Sequence, residues 1–422
     1  MFRSGFVPPP RASISRRRGP AIADRSAAGR ARGEELELRI DSLAAGGDGV
    51  ARADDGLVVF VPFTAPGDVV RVELGSRRKS WGRGVVRDLL EPGPGRTDPL
   101  CPVFGQCGGC SWQHLGYEAQ LEAKRSILRE SFERIARVPL PEGFDFLACP
   151  EPYGYRSRAR VVAERGRVGF RRRRSHAVCA TRRCPILVPE LDVALAELAE
   201  QPPAPTGEWE LSAGSDGSTL VTALPVRASA GQVTVAVGEE RLAISGGSFV
   251  QANALLRERL AEWVLAAAAP DAAQRGACLE LHCGAGFFTL GLARRFERVL
   301  AIESNPHAVA DLEDNLAAAG IANVEIVAEP VETALESEPA SGFGSDVVVL
   351  DPPRVGLEPE VCDALATSEA RRIVYVSCDP ATLARDVGIF VDRDWELADV
   401  AGFDLFPQTP HLEAAVCLTR GG

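Results

Sequence analysis

The sequence predicts an α/β protein in three parts. A doubly wound, mostly parallel sheet occupies residues 246–422, a small all-β barrel occupies 34–92, and a small α+β segment rich in cysteine and arginine lies between them, over 93–245. Three observations predict it. Strand-like and helix-like stretches alternate after residue 246 at the spacing of βαβ units. Short alternating runs broken by Gly, Pro and Asp fill 34–92, the pattern of a small barrel. A chain of 422 residues, 45% hydrophobic and 25% charged, is also too long for one ordinary core.

Residues 1–33 are rich in Arg and Ser and nearly devoid of acids, so a disordered basic tail is expected there, with an organelle transit peptide as the other reading. In 34–92, "LELRIDSL" alternates, "GGDGVAR" turns, "GLVVFVPFTAPGD" runs and breaks, and "VVRVEL" alternates again. "EPGPGRTDP" (91–99) reads as a linker, and "YEAQLEAKRSILRESFERIA" (117–136) as a helix. No stretch is long and apolar enough to span a bilayer, so no membrane partner is expected. Eleven cysteines without a secretory signal point to a reducing, cytoplasmic setting and to metal or catalytic roles.

The net charge is −11, yet residues 151–185 hold eleven arginines against two glutamates, including "YGYRSRAR" and "GFRRRRSH". A basic stripe on an acidic chain suits one surface for a phosphate backbone. Tyr153, Tyr155 and Phe170 are placed to stack on bases.

"CPVFGQCGGC" places Cys101, Cys107 and Cys110 as C-x5-C-x2-C, and "RRCPIL" supplies Cys184, with Cys179 as a spare. Four thiolates suit zinc or an iron–sulfur cluster. The three-plus-one arrangement lacks the second short pair of a zinc site and favours [4Fe–4S]. C-x3-C-x2-C is absent, so a structural role is expected.

In the last part, "ACLELHC", "RVLAIES", "VEIVAE", "DVVVLDPP" and "RIVYVSC" read as strands, with helices at 288–295 and from Pro306 to Gly320. The runs "WELADVAGFDLFP" and "HLEAAVCLTR" leave no room for a crossover helix and should pair antiparallel. Ligands of such sheets bind beyond the carboxyl ends of the strands. There the chain places the "CGAG" turn, Glu303, Asp351 and Cys378, and the reversed last strand returns His411 and Glu413 to the same edge. Taken singly, each is an ordinary turn, loop acid or strand stop; together they form a crevice. An acid able to bind a ribose diol, without G-x-G-x-x-G, favours a nucleoside cofactor such as S-adenosylmethionine over a dinucleotide.

A thiol and a carboxylate facing that pocket suit covalent catalysis on a uracil ring. Cys378 would add to carbon 6, and Glu413 would remove the proton from carbon 5 after methylation. Cys278, Cys283, Cys362 and Cys417 read as inert core thiols. Three other readings compete. An amino-methyltransferase using Asp-Pro-Pro would need neither Cys378 nor Glu413. A non-catalytic RNA-binding chaperone would keep only the barrel and the basic stripe. An iron–sulfur redox protein would want a flavin or nicotinamide motif, which is absent.

From residue 34 onward the chain resembles the RNA uracil-5-methyltransferases. The 34–92 region resembles their OB-like TRAM domain, C-x5-C-x2-C…C the cluster site of their ribosomal-RNA branch, and "GYRSRAR" their segment near the RNA. "SFVQANALL", "LDPPRVGL", "YVSCDPATLARD" and "DLFPQTPHLEAAVCL" resemble their remaining motifs. The resemblance implies Cys378 as nucleophile and Glu413 as base. It implies Gln251, His282, Phe287, Glu303 and Asp351 as cofactor contacts, and a [4Fe–4S] cluster on Cys101, Cys107, Cys110 and Cys184. It implies a Rossmann-like methyltransferase domain acting as a monomer on structured RNA, 23S ribosomal RNA rather than transfer RNA. His282 and Phe287 depart from the family, which has an aromatic residue and an asparagine at those positions.

Overall fold

The computed structural model describes residues 34–204, 206–226, 231–270, 276–338 and 340–420, so the basic tail expected over 1–33 lies outside the described residues. Strands β1 (Glu35–Arg39), β2 (Ser42–Leu43), β3 (Gly49–Arg52), β4 (Val58–Val61), β5 (Val69–Arg77) and β6 (Trp81–Glu91) form one sheet in the order β1-β5-β6-β4-β3-β2. Alternate residues, among them Leu38, Ala51, Val59, Val61, Val70 and Val72, meet in a single core, as a curled half-buried sheet requires. The Gly-Pro segment after β6 is pinned rather than slack. Asp68 accepts from Gly93 N at 2.7 Å and pairs with Arg96 at 2.6 Å.

Helix α1 (Tyr117–Ser131) continues through one π turn, Phe132–Ala136, so the helix expected over 117–136 forms with a change of pitch. Strand β7 (Asp145–Leu147) follows. Strands β8 (Arg158–Glu164), β9 (Arg167–Arg171), β10 (Val178–Ala180), β11 (Gly207–Ala213) and β12 (Thr219–Leu224) form an antiparallel sheet in the order β10-β9-β8-β11-β12. Helix α2 (Pro189–Glu200) lays Leu191 and Leu195 into the core beneath it. The hairpin of β13 (Gln232–Val237) and β14 (Glu240–Ser245) is tied to the Pro306–Ala318 helix, where the Asn315 side chain bonds both the N–H and the carbonyl of Ala243.

After helix α3 (Arg257–Ala268) come β15 (Ala277–Leu281), α4 (Thr289–Ala293), β16 (Arg298–Ile302), α5 (Pro306–Ala318), β17 (Val324–Val327), α6 (Val331–Glu336), β18 (Val347–Leu350), α7 (Pro359–Thr367), β19 (Arg372–Ser377), α8 (Pro380–Val391), β20 (Trp395–Phe403) and β21 (Glu413–Arg420). The sheet order is β17-β16-β15-β18-β19-β21-β20-β7. The first five of these strands are parallel, and β21 is antiparallel to both β19 and β20, as the missing crossover predicts. The central strands β15, β18 and β19 are buried on both faces, as a parallel sheet covered by helices requires. One edge strand comes from elsewhere: β7 pairs in parallel with the end of β20.

Candidate active site

The crevice opens at the carboxyl ends of β15, β16, β18 and β19. After β15 the chain turns through His282 (φ +59), Gly284 (φ +58) and Gly286 (φ +97). A Cβ on Gly286 would stand 2.8 Å from Leu312 Cδ1, so this turn admits only glycine there. At Gly284 the nearest atom to such a Cβ is the Phe249 carbonyl oxygen, 3.9 Å away, which leaves the backbone open to a ligand. The segment carrying Gln251, itself buried, borders the turn at that point. His282 is a non-glycine residue in the left-handed region, an outlier of the kind that gathers at ligand sites. Burial lowers its pKa, while the Glu303 and Glu332 carboxylates oppose the fall. The Phe287 ring meets Phe288 edge-on, with centroids 4.8 Å apart.

Glu303, just past β16, closes the turn from the other side. It accepts from Gly284 N at 3.0 Å, Ser304 N at 2.8 Å and Asn305 N at 2.7 Å. Asp351 follows β18, and burial raises its pKa. Cys378 leaves β19 just before Asp379, whose carboxylate caps α8 by accepting from Ala381 N at 3.0 Å and Thr382 N at 3.2 Å. Across the sheet Ser377 pairs with Ala414, which sets Cys378 beside Glu413. Burial pushes the Cys378 thiol up to about 12, with the Glu413 and Asp351 carboxylates adding to the rise and the Arg354 guanidinium opposing it. Glu413 is 1% exposed, and burial followed by the Asp351 charge drives its pKa well above the usual carboxylate range. Its Oε1 is buried with no hydrogen-bond partner. Cys378, Glu413 and Asp351 thus form one interacting group, with Glu303 bordering it at the glycine turn.

Two residues of this site are outside the set that the sequence singles out. Glu280 stands one residue before the end of β15, with both carboxylate oxygens buried and neither in a well-formed hydrogen bond. Burial raises it to about 8, the nearby Thr289 hydroxyl opposes the rise, and the Asp351 and Glu303 charges add to it. A charge inside the apolar run "ACLEL" is the signal that marks it. Arg354, after Asp-Pro-Pro, donates to His411 Nδ1 at 2.7 Å and faces Cys378 and Glu413.

The cysteine loop docks on the basic stripe: Gly108 N donates to Arg171 O at 2.9 Å, and Arg173 N to Gln106 O at 3.0 Å. Burial pushes Cys107 and Cys184 to about 12 and Cys110 to about 11, and the neighbouring thiols add to each. Cys101, Cys107, Cys110 and Cys184 therefore lie in one neighbourhood, with Cys179 near Cys107. Among the described residues no three His, Cys, Asp or Glu side chains stand close enough together to bind a single metal ion. In the stripe, Arg172 and Arg174 are exposed, whereas Arg173 pairs with Asp48 at 3.5 Å and lies over the Phe63 ring at 4.5 Å. The expected stacking role of Tyr155 is corrected. It is 1% exposed, and its hydroxyl donates to Pro407 O at 2.9 Å, so it anchors the core. Tyr153 and Phe170 are half-buried. Among the described residues no helix is long and apolar enough to cross a membrane.

Residues 232–421 match the family model for tRNA (uracil-5-)-methyltransferases, and residues 29–85 match the TRAM domain. The chain is 34% identical to the 23S rRNA (uracil(1939)-C(5))-methyltransferase RlmD of Alkalilimnicola ehrlichii, over 92% of this chain and 97% of that one. It is also 34% identical to the RlmD of Chromohalobacter salexigens, over 91% of this chain and 89% of that one. Among solved structures it is similar to the Pyrococcus abyssi tRNA (uracil-54, C5)-methyltransferase in complex with S-adenosyl-L-homocysteine. That match has a TM-score of 0.69 and 24% identity, over 91% of this chain and all of that one. A barrel, a basic stripe and a strand-end thiol beside a buried carboxylate are thus joined in one chain that aligns nearly end to end with these enzymes: it belongs to the RNA uracil-5-methyltransferase family.

Proposed function

We propose that the protein methylates carbon 5 of a uridine in structured 23S ribosomal RNA, through a covalent bond between Cys378 and the uracil ring, with S-adenosylmethionine as methyl donor. The observation that carries this reading is the placement of Cys378 beside buried Glu413 at the mouth of the sheet. Ribosomal rather than transfer RNA is favoured by the two RlmD relatives, each aligned over more than nine-tenths of this chain.

The crevice fits the cofactor. Gly284 leaves open backbone at the turn, and buried Glu280 and Glu413 stand with half-buried Asp351, all three with raised pKa values, an environment that favours a cationic ligand. Glu303, already ordered by three backbone N–H groups, keeps one acceptor site, on Oε2, for a ribose hydroxyl. Gln251, His282 and Phe287 border the same space. When bound, S-adenosylmethionine supplies an electrophilic methyl group and a positive charge.

In the reaction, the Cys378 thiol gives its proton to solvent, a step that the Arg354 guanidinium favours. The Sγ pair forms a bond to carbon 6, and the ring electrons move onto carbon 5 as an enolate. Carbon 5 would take the methyl group as the methyl–sulfonium bond breaks, with the sulfonium electron pair returning to neutral S-adenosylhomocysteine. Glu413 then takes the proton from carbon 5, the C–H pair re-forms the double bond, and the C–S bond breaks to return the thiolate.

Cys101, Cys107, Cys110 and Cys184 would hold a [4Fe–4S] cluster. The reading is supported by the C-x5-C-x2-C…C spacing and by a glycine-rich loop in which Gly109 N donates to Cys107 Sγ at 3.4 Å. It requires the four thiols to draw together, since among the described residues no three such side chains stand close enough to bind one metal ion. Such a cluster would brace the loop against Arg171–Arg173. Anaerobically purified protein should then be brown and iron-loaded; a colourless, zinc-loaded protein contradicts the assignment.

Glu413→Gln tests the mechanism. It should leave the protein attached to RNA as an adduct that survives a denaturing gel. Free RNA in that lane would remove Glu413 from the role of base.

A further inference from the structure

The segment joining β20 to Glu413, residues 404–412, is held largely by residues that precede residue 246 in the chain, with Asn253 and Arg354 adding bonds to Leu405 O and His411. Asp404 N donates to Leu147 O at 2.9 Å, and its Oδ1 accepts from Lys124 Nζ of α1 at 2.5 Å. Lys124 also donates to Phe406 O at 3.0 Å, and Tyr155 to Pro407 O at 2.9 Å. The centre of the clasp is Gln408. Its N–H donates to Gln120 Oε1 at 2.8 Å, and its Oε1 accepts from Gln120 Nε2 at 3.1 Å. Its carbonyl accepts from Ser111 N at 3.1 Å and Trp112 N at 3.0 Å, and its Nε2 donates to Pro152 O at 3.3 Å. Gln408 is 2% exposed and sits at φ +70, a left-handed conformation that costs a glutamine energy and persists where the surroundings over-determine it.

The chain then meets the barrel. A Cβ on Gly47 (φ +85) would stand 2.9 Å from Pro410 Cγ, and Trp112 Nε1 donates to Gly47 O at 2.9 Å. Trp112 is two residues past Cys110. The cysteine loop, α1 and a barrel turn therefore all bear on the few residues before Glu413. The Glu413 carboxylate has no hydrogen bond at Oε1, so the backbone before and after it sets its aim.

We propose that Gln408 is a positioning residue whose clamped left-handed turn aims Glu413, so that proton removal from carbon 5 depends on the seating of the cysteine loop and the barrel. This rests on the reading of Glu413 as the base. A strained turn fixed at all of its polar atoms, Trp112 bridging barrel and clasp, and a base without a hydrogen-bonded orienter at Oε1 together carry it.

Gln120→Met removes the side-chain clamp while nearly keeping its volume, and Trp112→Phe removes the bond to Gly47. Each should resolve the covalent RNA adduct up to about 100-fold more slowly, the range for a reacting group displaced by about 1 Å. The adduct should accumulate on denaturing gels and kcat should fall, while cofactor affinity and the equilibrium Kd for RNA stay at wild-type values. A folded Gln120→Met protein that clears the adduct at the wild-type rate overturns the proposal. So does one that loses RNA affinity without accumulating adduct. Should that variant fail to fold, Trp112→Phe is judged by the same two readouts. Glu413→Gln run alongside separates the failures: no trapped adduct there overturns the base assignment, whereas trapping there with none in the clasp variants overturns the positioning role alone.

Discussion

Cys378 and Glu413 are neighbours because Ser377 and Ala414 pair across β19 and β21, and the carboxylate raises the thiol beside it. Glu413 is buried and Cys378 half-buried, with Asp351 next to them, so the ligand-free site favours their protonated, uncharged forms. On the proposed mechanism, the nucleophile and the base would be held in reserve in that state until positive charge enters the crevice.

Cys378→Ala should abolish methylation of RNA while leaving S-adenosylmethionine affinity within about twofold, since the thiol is assigned to the substrate and not to the cofactor. Titration calorimetry beside a methyl-transfer assay checks both halves. Retained turnover would favour amine methylation through Asp-Pro-Pro.

Cofactor affinity should rise with pH. Glu280 is raised to about 8, and Asp351 and Glu413 are raised as well, so each is protonated at lower pH and attracts a cation only once ionised. Binding should therefore strengthen between about pH 6 and pH 9. The stability of the ligand-free protein should run the other way. Carboxylates with folded pKa values above their unfolded ones stabilise the fold at low pH, and that contribution is lost as pH rises through the folded values. Thermal melts with and without cofactor across this range read both trends. A flat affinity profile would remove these acids from the cofactor site.

Lys124→Met should cost about 3–5 kcal/mol, because it leaves Asp404 charged and buried; neither side chain of the pair is exposed. Adding Asp404→Leu should recover much of that loss, since the uncompensated charge goes with it. Urea unfolding of the single and double variants measures the difference.

Replacing Arg172 and Arg174 with Gln should weaken RNA binding and reduce the salt slope by about 1 per lost phosphate contact. Arg173→Gln should act more through the barrel seam, because that guanidinium is engaged with Asp48 and Phe63. Filter binding across a salt series distinguishes them.

The parallel sheet was legible because "ACLEL", "RVLAI" and "DVVVL" are apolar runs of strand length spaced by helices, and the reversed last strand because no crossover fits before it. Strand β7 was not legible. "DFL" is three residues long, and only its pairing with distant β20 makes it a strand. Cys378, Glu413, Glu303 and Asp351 could be placed at one edge because topology alone assigns strand ends. Glu280 was passed over because a single acid in a strand reads as an interruption until its oxygens are seen to be buried, neither in a well-formed hydrogen bond. Tyr155 was misread for a related reason: composition marks an aromatic beside arginines, but only the fold shows its hydroxyl reaching Pro407. The clasp around Gln408 joins residues far apart in sequence, and no local pattern announces it.

The most direct test is nucleoside mass spectrometry of ribosomal and transfer RNA, analysed separately, from cells with and without this gene. The account predicts loss of 5-methyluridine from ribosomal RNA, restored by the wild-type gene and not by Cys378→Ala. Unchanged 5-methyluridine in the ribosomal pool, or a loss confined to transfer RNA, would contradict it.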